Sequence, residues 1–275
     1  MIADLAGRVA VITGAASGIG AALCVGCAEA GMRVVAADID LPGAAATAGA
    51  LPEAIAVRVD VAEPDEVDRF AATAFERWGS VDLLINNAGV FQGGRTWERT
   101  PADWQWTFGV NVFGITNALA AFVPRMLEQD TDGHIVNTAS VAAFVSGPVS
   151  APYVVSKAAA FAVTEALALD LASVDAKIGA SVLVPSAFDT GIAHTAAVRP
   201  ERYGTDTDPT AAFVAEALAS MTTQGLEPAA VVEPVLDAVR NGTFLIPTRD
   251  SYRTQLTNRY EALLERRLPG PTIVD

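Results

Sequence analysis

Short runs of β-branched and aliphatic residues alternate along this chain with longer stretches of helical period, and that alternation restricts the fold more than any single motif. "RVAVIT" (8–13) is followed by "GIGAALCVGCAEAG" (18–31), "RVVAAD" (33–38) by residues 42–51, and "AIAVRVD" (54–60) by "PDEVDRFAATAFERWG" (64–79). The rhythm continues through "VDLLINN" (81–87), a long segment over 101–127, "GHIVNTAS" (133–140), a helix around Tyr153 and "IGASVLVP" (178–185). Runs this short, with few polar positions, are strands covered on both faces, and parallel strands require helical crossovers. The expected fold class is therefore α/β: a Rossmann-like, doubly wound parallel sheet of about seven strands in a three-layer α/β/α arrangement.

Helix punctuation agrees, with Pro64 and Pro101 in first turns and Gly31 and Gly79 at helix ends. No Pro- or Ser-rich linker divides the chain, so a single domain over 1–275 is expected. Its cofactor-binding part lies in 1–150 and its catalytic and substrate part in 135–275. Only residues 189–225 break the rhythm, with Pro, Gly and Thr among small helical pieces. A segment of this kind after a strand's carboxyl end is a candidate lid.

The net charge of -14 repels phosphate backbones and anionic bilayers, which argues against nucleic-acid or membrane partners. Gly147, Pro148 and Pro152 interrupt the longest uncharged stretch, Ile135 to Ser156. Cys24 and Cys27 are the only cysteines and fall in an apolar helical pattern, which favours packing over a redox or metal pair. A cytoplasmic location and the absence of a metal are expected.

The first strand runs into "TGAASGIG", which sets Gly14, Gly18 and Gly20 between a strand and a helix, with Ser17 and Ile19 among them. Glycines there permit close backbone approach, and the helix amino end offers N–H groups to a pyrophosphate. The loop lacks the Gly-Lys-Ser/Thr ending of a nucleoside triphosphate site. Asp38 closes the second strand, where its carboxylate would bind ribose hydroxyls and repel a 2′-phosphate. With no cation at Ser17 or Ile39, NAD is preferred to NADP.

On these residues and three further motifs the chain resembles the short-chain dehydrogenase/reductase family over nearly its whole length. The family's TGxxxGxG loop is matched by Thr13, Gly14, Gly18 and Gly20, and its Asn-Asn-Ala-Gly motif by Asn86 to Gly89. Its active-site Asn is matched by Asn111 in "VNVFG", its Ser by Ser140, and its Tyr-x-x-x-Lys pair by Tyr153 and Lys157. The resemblance implies an oxidoreductase with catalytic Asn111, Ser140, Tyr153 and Lys157. It further implies cofactor contacts from Asp60, Val61, Asn87, Ala88, Gly89, Pro185, Phe188 and Thr190, and from Tyr153 and Lys157 themselves. Asp60 would meet the adenine and Thr190 the nicotinamide carboxamide. One departure is Pro185-Ser186, where the family has Pro-Gly.

The chemistry explains the pair. Oxidising a secondary alcohol removes a proton from oxygen as hydride leaves carbon, and a free tyrosine with a pKa of about 10 is a poor base. Four-residue spacing puts Tyr153 and Lys157 on one helical face, so the ammonium, together with the positive charge of oxidised nicotinamide, favours phenolate. Ser140 would hold the reacting oxygen, and Asn111 would anchor a water between Lys157 and solvent.

The substrate wall is expected from Phe91, Gln92, Val141, Phe144, Val149 and Phe188, with part of 189–225. That set is mostly apolar and suits hydrophobic or cyclic alcohols and ketones, although Arg199 or Arg202 would suit an acid. Among the tryptophans, Trp97 is the best candidate for a substrate contact. An NADH-consuming biosynthetic ketoreductase and a non-catalytic NAD-binding redox sensor are the alternatives. Alanine-rich helix faces in "ITNALAAFV" and "KAAAFAVTEALAL" point to a homo-oligomer, a tetramer before a dimer.

Overall fold

Every residue of the strand β1 (Val9–Thr13) is buried, with Ala10 and Ile12 packed into one apolar cluster and Val11 into another. A strand that is apolar at both parities is stable only between two helical layers. The computed structural model describes residues 1–145 and 147–270. After β1 come α1 (Gly18–Glu29), β2 (Arg33–Asp38), α2 (Leu41–Gly49), β3 (Ala54–Arg58), α3 (Pro64–Trp78) and β4 (Leu83–Asn86). The second half holds α4 (Pro101–Phe108), α5 (Gly114–Glu128), β5 (Gly133–Thr138), α6 (Ala151–Ser173), β6 (Ile178–Val184), α7 (Pro209–Thr222), α8 (Val232–Asn241), β7 (Leu245–Pro247) and α9 (Ser251–Leu264).

The seven strands form one sheet in the order β3-β2-β1-β4-β5-β6-β7, all parallel. The order reverses at β1, whose neighbours are β2 and β4, and such a switch point opens a crevice at the strands' carboxyl ends. Leu23, Cys24 and Cys27 of α1 and Val235, Leu236 and Val239 of α8 cover one face. On the other, Val67, Phe70, Ala71 and Ala74 of α3 recur at helical spacing and meet α5, with Phe70 edge-on to Phe122 at 5.3 Å. Gly79 ends α3 in the left-handed conformation, as its position suggested.

One detail differs from the sequence expectations. The segment 101–127 is not one regular helix, because a π-helical turn at Gly109–Phe113 separates α4 from α5. Pro101–Glu128 is also the one described run long and apolar enough to cross a bilayer, yet Ala118, Ala121, Phe122 and Met126 bury its apolar face against α3 and the sheet. The C-terminal stretch "RYEALLERRLPGPTIVD", which reads from sequence as a charged helix and short tail, begins within α9, and its residues 271–275 lie outside the described residues. Cys24 and Cys27 pack as hydrophobes, and burial pushes both thiols up, away from the reactive thiolate.

His134 lies fully buried in β5. The Ser181 hydroxyl donates to the Thr243 carbonyl (2.6 Å), which leaves its oxygen to accept from His134 Nε2–H (2.6 Å), and Nδ1 has no partner among the described residues. Burial lowers this imidazole's pKa to about 4, from an ordinary 6.5. Between those values the unfolded chain binds a proton that the folded chain refuses, so stability is lost as pH falls from 6.5 toward 4. The expected loss is about 3 kcal/mol, at about 1.4 kcal/mol per unit. Unfolding titrations across that window should show His134→Gln losing correspondingly less stability than the wild type. Parallel profiles would contradict this account.

Candidate active site

Close backbone approaches shape the loop after β1. Gly14 has φ +69°, and a Cβ there would lie 2.9 Å from the Ala88 Cα; a Cβ on Gly20 would lie 2.0 Å from the Gly14 carbonyl oxygen. Only glycine fits either position. Thr13 Oγ1 accepts the Asn87 and Ala88 N–H groups (3.0 and 3.1 Å), and Asn87 Nδ2 donates to the Thr13 carbonyl (3.2 Å), which joins the turns after β1 and β4 across the switch point. Ser17, at the amino end of α1, makes no side-chain cap, so the first N–H groups of that helix remain open to an anion.

A cavity of about 700 Å³ runs along this edge of the sheet. The proposed cofactor residues Gly14, Ser17, Gly18, Ile19, Asp38, Ile39, Asp60, Val61, Asn87, Ala88, Gly89, Pro185, Phe188 and Thr190 all line it. Gly20 stands behind the turn, where it allows the turn to close. The Asp38 carboxylate is held in place by the N–H groups of Ala16 and Asp40, each at 2.9 Å. Glycines that a Cβ would displace, an open helix terminus and an oriented strand-end carboxylate are the donor set that a dinucleotide fits.

Ser140, Tyr153 and Lys157 line the same cavity. One turn of α6 separates Tyr153 from Lys157, whose Nζ lies 5.8 Å from the phenol ring centre and donates to the Thr138 carbonyl (3.0 Å). The Ser140 hydroxyl hydrogen-bonds the Tyr153 phenol, and Phe91 packs on the ring at 5.1 Å. Burial dominates both titrations: it raises the Tyr153 pKa, which the Ser140 hydrogen bond partly offsets, and lowers that of Lys157 to about 8. Within the chain alone these shifts oppose a phenolate–ammonium pair. A positive charge beside the phenol, from Lys157 or from a bound cofactor, would work against that burial.

Asn111 sits in the π-helical turn, a distortion frequent at functional sites. Its Nδ2 donates to the Val90 carbonyl and the Ser156 hydroxyl (both 2.9 Å), and its Oδ1 accepts the Val90 N–H (2.8 Å). Both carboxamide donors are therefore spent on aligning α6 with the β4 loop. The expected hold on a water would have to come from the Asn111 main chain or from the second lone pair of Oδ1. A second buried chain, Asn86 to Asn137 to Thr164, ties β4 and β5 to α6. Sequence reasoning missed Asn137 and Thr164; their signal was an amide inside the otherwise apolar run "HIVN".

Ser186 adopts an ordinary negative φ and pairs with Thr248 through its N–H (2.9 Å) and hydroxyl (3.1 Å), so the departure from Pro-Gly leaves the path beside Pro185 intact. On the substrate side, Phe91, Val141 and Phe188 line the cavity as expected. Three other expected wall residues do not. Phe144 turns into the core edge-on to Phe161 (5.3 Å), because the short helical turn after Ser140 points it inward. Gln92 is drawn away by Asp206 (2.7 Å) and Arg199 (3.0 Å). Val149, at φ +57°, contributes its carbonyl to the Gly94 N–H (2.7 Å). The wall is completed instead by Val145, Val154, Ile192 and the α7 residues Val214, Leu218 and Met221.

The two candidate acid-binding arginines are also engaged. Arg199 pairs with buried Asp103 (2.8 Å) and covers Trp106 (5.0 Å), while Arg202 pairs with Asp60 (2.7 Å) and Glu63 (3.0 Å). Trp106 lines the cavity, whereas Trp97 is 82% exposed and does not. Among the described residues, no group of three His, Cys, Asp or Glu side chains is placed to hold a metal ion.

Residues 8–200 match the family model described as short chain dehydrogenase. The "CLA biosynthesis dehydrogenase/reductase" of Lactiplantibacillus plantarum is 32% identical over 99% of this chain and 98% of its own. A "1-deoxy-11-beta-hydroxypentalenate dehydrogenase" of Streptomyces exfoliatus is 40% identical over 76% of this chain and 77% of its own. Among solved structures, a short chain dehydrogenase/reductase from Burkholderia phymatum, in complex with NAD, superposes with a TM-score of 0.95 at 37% identity, covering 99% of each chain.

Proposed function

The chain belongs to the short chain dehydrogenase family, and from that membership we propose that it is an NAD-dependent oxidoreductase interconverting a secondary alcohol and a ketone on a hydrophobic or cyclic substrate. The observation that carries this reading is the convergence of Ser140, Tyr153 and Lys157 on the cavity that also holds the glycine turn and Asp38. When bound, oxidised nicotinamide would accept hydride and would add a second positive charge beside the Tyr153 phenol.

The remaining work falls to the protein. Ser140 holds the substrate oxygen by hydrogen bonding, and Tyr153 Oη takes the alcohol proton as hydride leaves carbon. Lys157, fixed by the Thr138 carbonyl, keeps its ammonium against the phenol and favours phenolate. In ketone reduction Tyr153 returns the proton.

Asp38 supports NAD over NADP: among the described residues no ammonium or guanidinium pairs with it, and a 2′-phosphate would face its carboxylate. The complex of the Burkholderia phymatum relative with NAD supports the same choice. Apolar side chains of Phe91, Val145, Leu218 and Met221 support a hydrophobic substrate. The test follows reduced nicotinamide absorbance against a panel of apolar and cyclic secondary alcohols and ketones, with both cofactors titrated. NAD(H) should bind at least tenfold tighter than NADP(H), a difference of about 1.4 kcal/mol. Tighter binding of NADP(H) would overturn the cofactor assignment, and inactivity across the panel would overturn the reaction.

A further inference from the structure

Two arginines three positions apart fasten the segment that leaves β6. Arg199 is anchored in a dry cluster at α4, where Arg99 also pairs with Asp206 (2.8 Å) and with Asp208. The side chains of Arg99, Asp103 and Arg199 are 2%, 4% and 5% exposed. Arg202 lies at the other end, paired with Asp60 and Glu63 just beyond β3. β6 and β3 are separated by four strands, so the segment reaches across five strand spacings, about 24 Å. Thr190, Val198, Pro200 and Arg202 line the cavity along that path. Whatever occupies the cavity from Thr190 to Asp60 lies beneath this strap.

The two fastenings differ in strength. Separating buried, desolvated partners such as Arg199 and Asp103 leaves charges uncompensated in a dry site. Arg202 is 41% exposed; its partner Asp60 is 6% exposed but Glu63 is 46% exposed, so water and salt reach the guanidinium and weaken its pairing more than that of Arg199. The strap therefore opens first at Arg202. Asp60 is the residue whose carboxylate is expected to meet adenine; its Oδ1 accepts the Ala62 N–H (3.0 Å) and its Oδ2 the Arg202 guanidinium.

We propose that Arg202 is a latch for dinucleotide exchange: its pairing with Asp60 and Glu63 holds the strap over the adenine end, and cofactor is released through that end. The proposal rests on the NAD reading above. Hydrogen bonds within the cluster make Arg202 a positioning residue, since it acts by closing the strap rather than by touching reacting atoms.

Stopped-flow displacement of NADH from the full-length protein reads the release rate directly. Release from the wild type should accelerate as salt rises from 50 to 500 mM, on the order of severalfold. Arg202→Gln should release NADH about fivefold faster, the factor corresponding to roughly 1 kcal/mol of lost pairing, and with little salt dependence. Glu63→Gln should shift the rate in the same direction by less. Release that is unchanged or slower in Arg202→Gln, or insensitive to salt in the wild type, overturns the latch while leaving NAD use intact. Tighter NADH binding in Arg202→Gln would make Arg202 a competitor of adenine and also overturn it. Failure of wild-type protein to bind NADH overturns both this proposal and the cofactor reading.

Discussion

Tyr153→Phe is expected to lower kcat by a factor of about 10² to 10⁴ while the protein stays folded and still binds NADH. The substitution removes one oxygen, the atom proposed to exchange the substrate proton. It keeps the ring that packs on Phe91 at 5.1 Å. Ser140 would retain its contacts with the Ala142 N–H (3.1 Å) and the Pro185 carbonyl (3.4 Å), so the turn after β5 has no reason to rearrange. The loss should therefore fall on kcat and kcat/KM together, as for an interaction made at the transition state. Single-turnover hydride transfer, measured beside NADH titration, separates this result from a general loss of binding. Activity within a few-fold of wild type would remove Tyr153 from the reaction.

The second large effect concerns stability. Arg99→Met should destabilise the fold by about 3–5 kcal/mol, because it leaves Asp206 and Asp208 without the buried guanidinium that pairs with both, while Asp103 keeps only Arg199. At this chain length that corresponds to a melting temperature lower by roughly 10 °C. The acid side of the stability curve should change with it. Burial alone would raise the Asp206 pKa, but the Asp208 N–H, Gln92 and Arg99 outweigh it and the net direction is down. A depressed folded pKa contributes stability above the unfolded carboxylate value of about 3.9, and that contribution fades only as pH falls below it. Without Arg99 that contribution shrinks, so the variant should lose its remaining stability at a higher pH than wild type. Calorimetry at several pH values reads both effects. Equal melting temperatures would mean that α7 is held by its apolar contacts alone.

The legible parts of this protein share a physical character: each is set by neighbours close in sequence. Parity of apolar residues in "VAVIT" and "RVVAAD" announces strands covered on both sides, and closely spaced glycines after the first strand announce a tight turn between strand and helix. Tyr153 and Lys157 are four residues apart in a helix, so their common face follows from helical geometry. The weaker expectations failed for local reasons too. Phe144 follows a serine-capped helical turn that rotates it into the core, and a strand-end position alone gave no hint of that rotation. The π-helical turn around Asn111 was hidden because one extra residue per turn leaves no mark in an apolar pattern.

The chain's amino-acid order by itself determined the layered sheet, the glycine turn and the strand-end carboxylate, because periodicity and short-range spacing place them, while Ser140 was singled out with Tyr153 and Lys157 only by resemblance to a family's motifs. Tertiary structure alone decided the substrate wall and the fate of the charged lid. Gln92 meets Asp206, and Arg202 meets Asp60, across separations of 114 and 142 residues. An arginine attracts any carboxylate, and the sequence offers many. Which one it finds depends on where five strand spacings and two helical layers bring the lid, and only the folded chain fixes that distance.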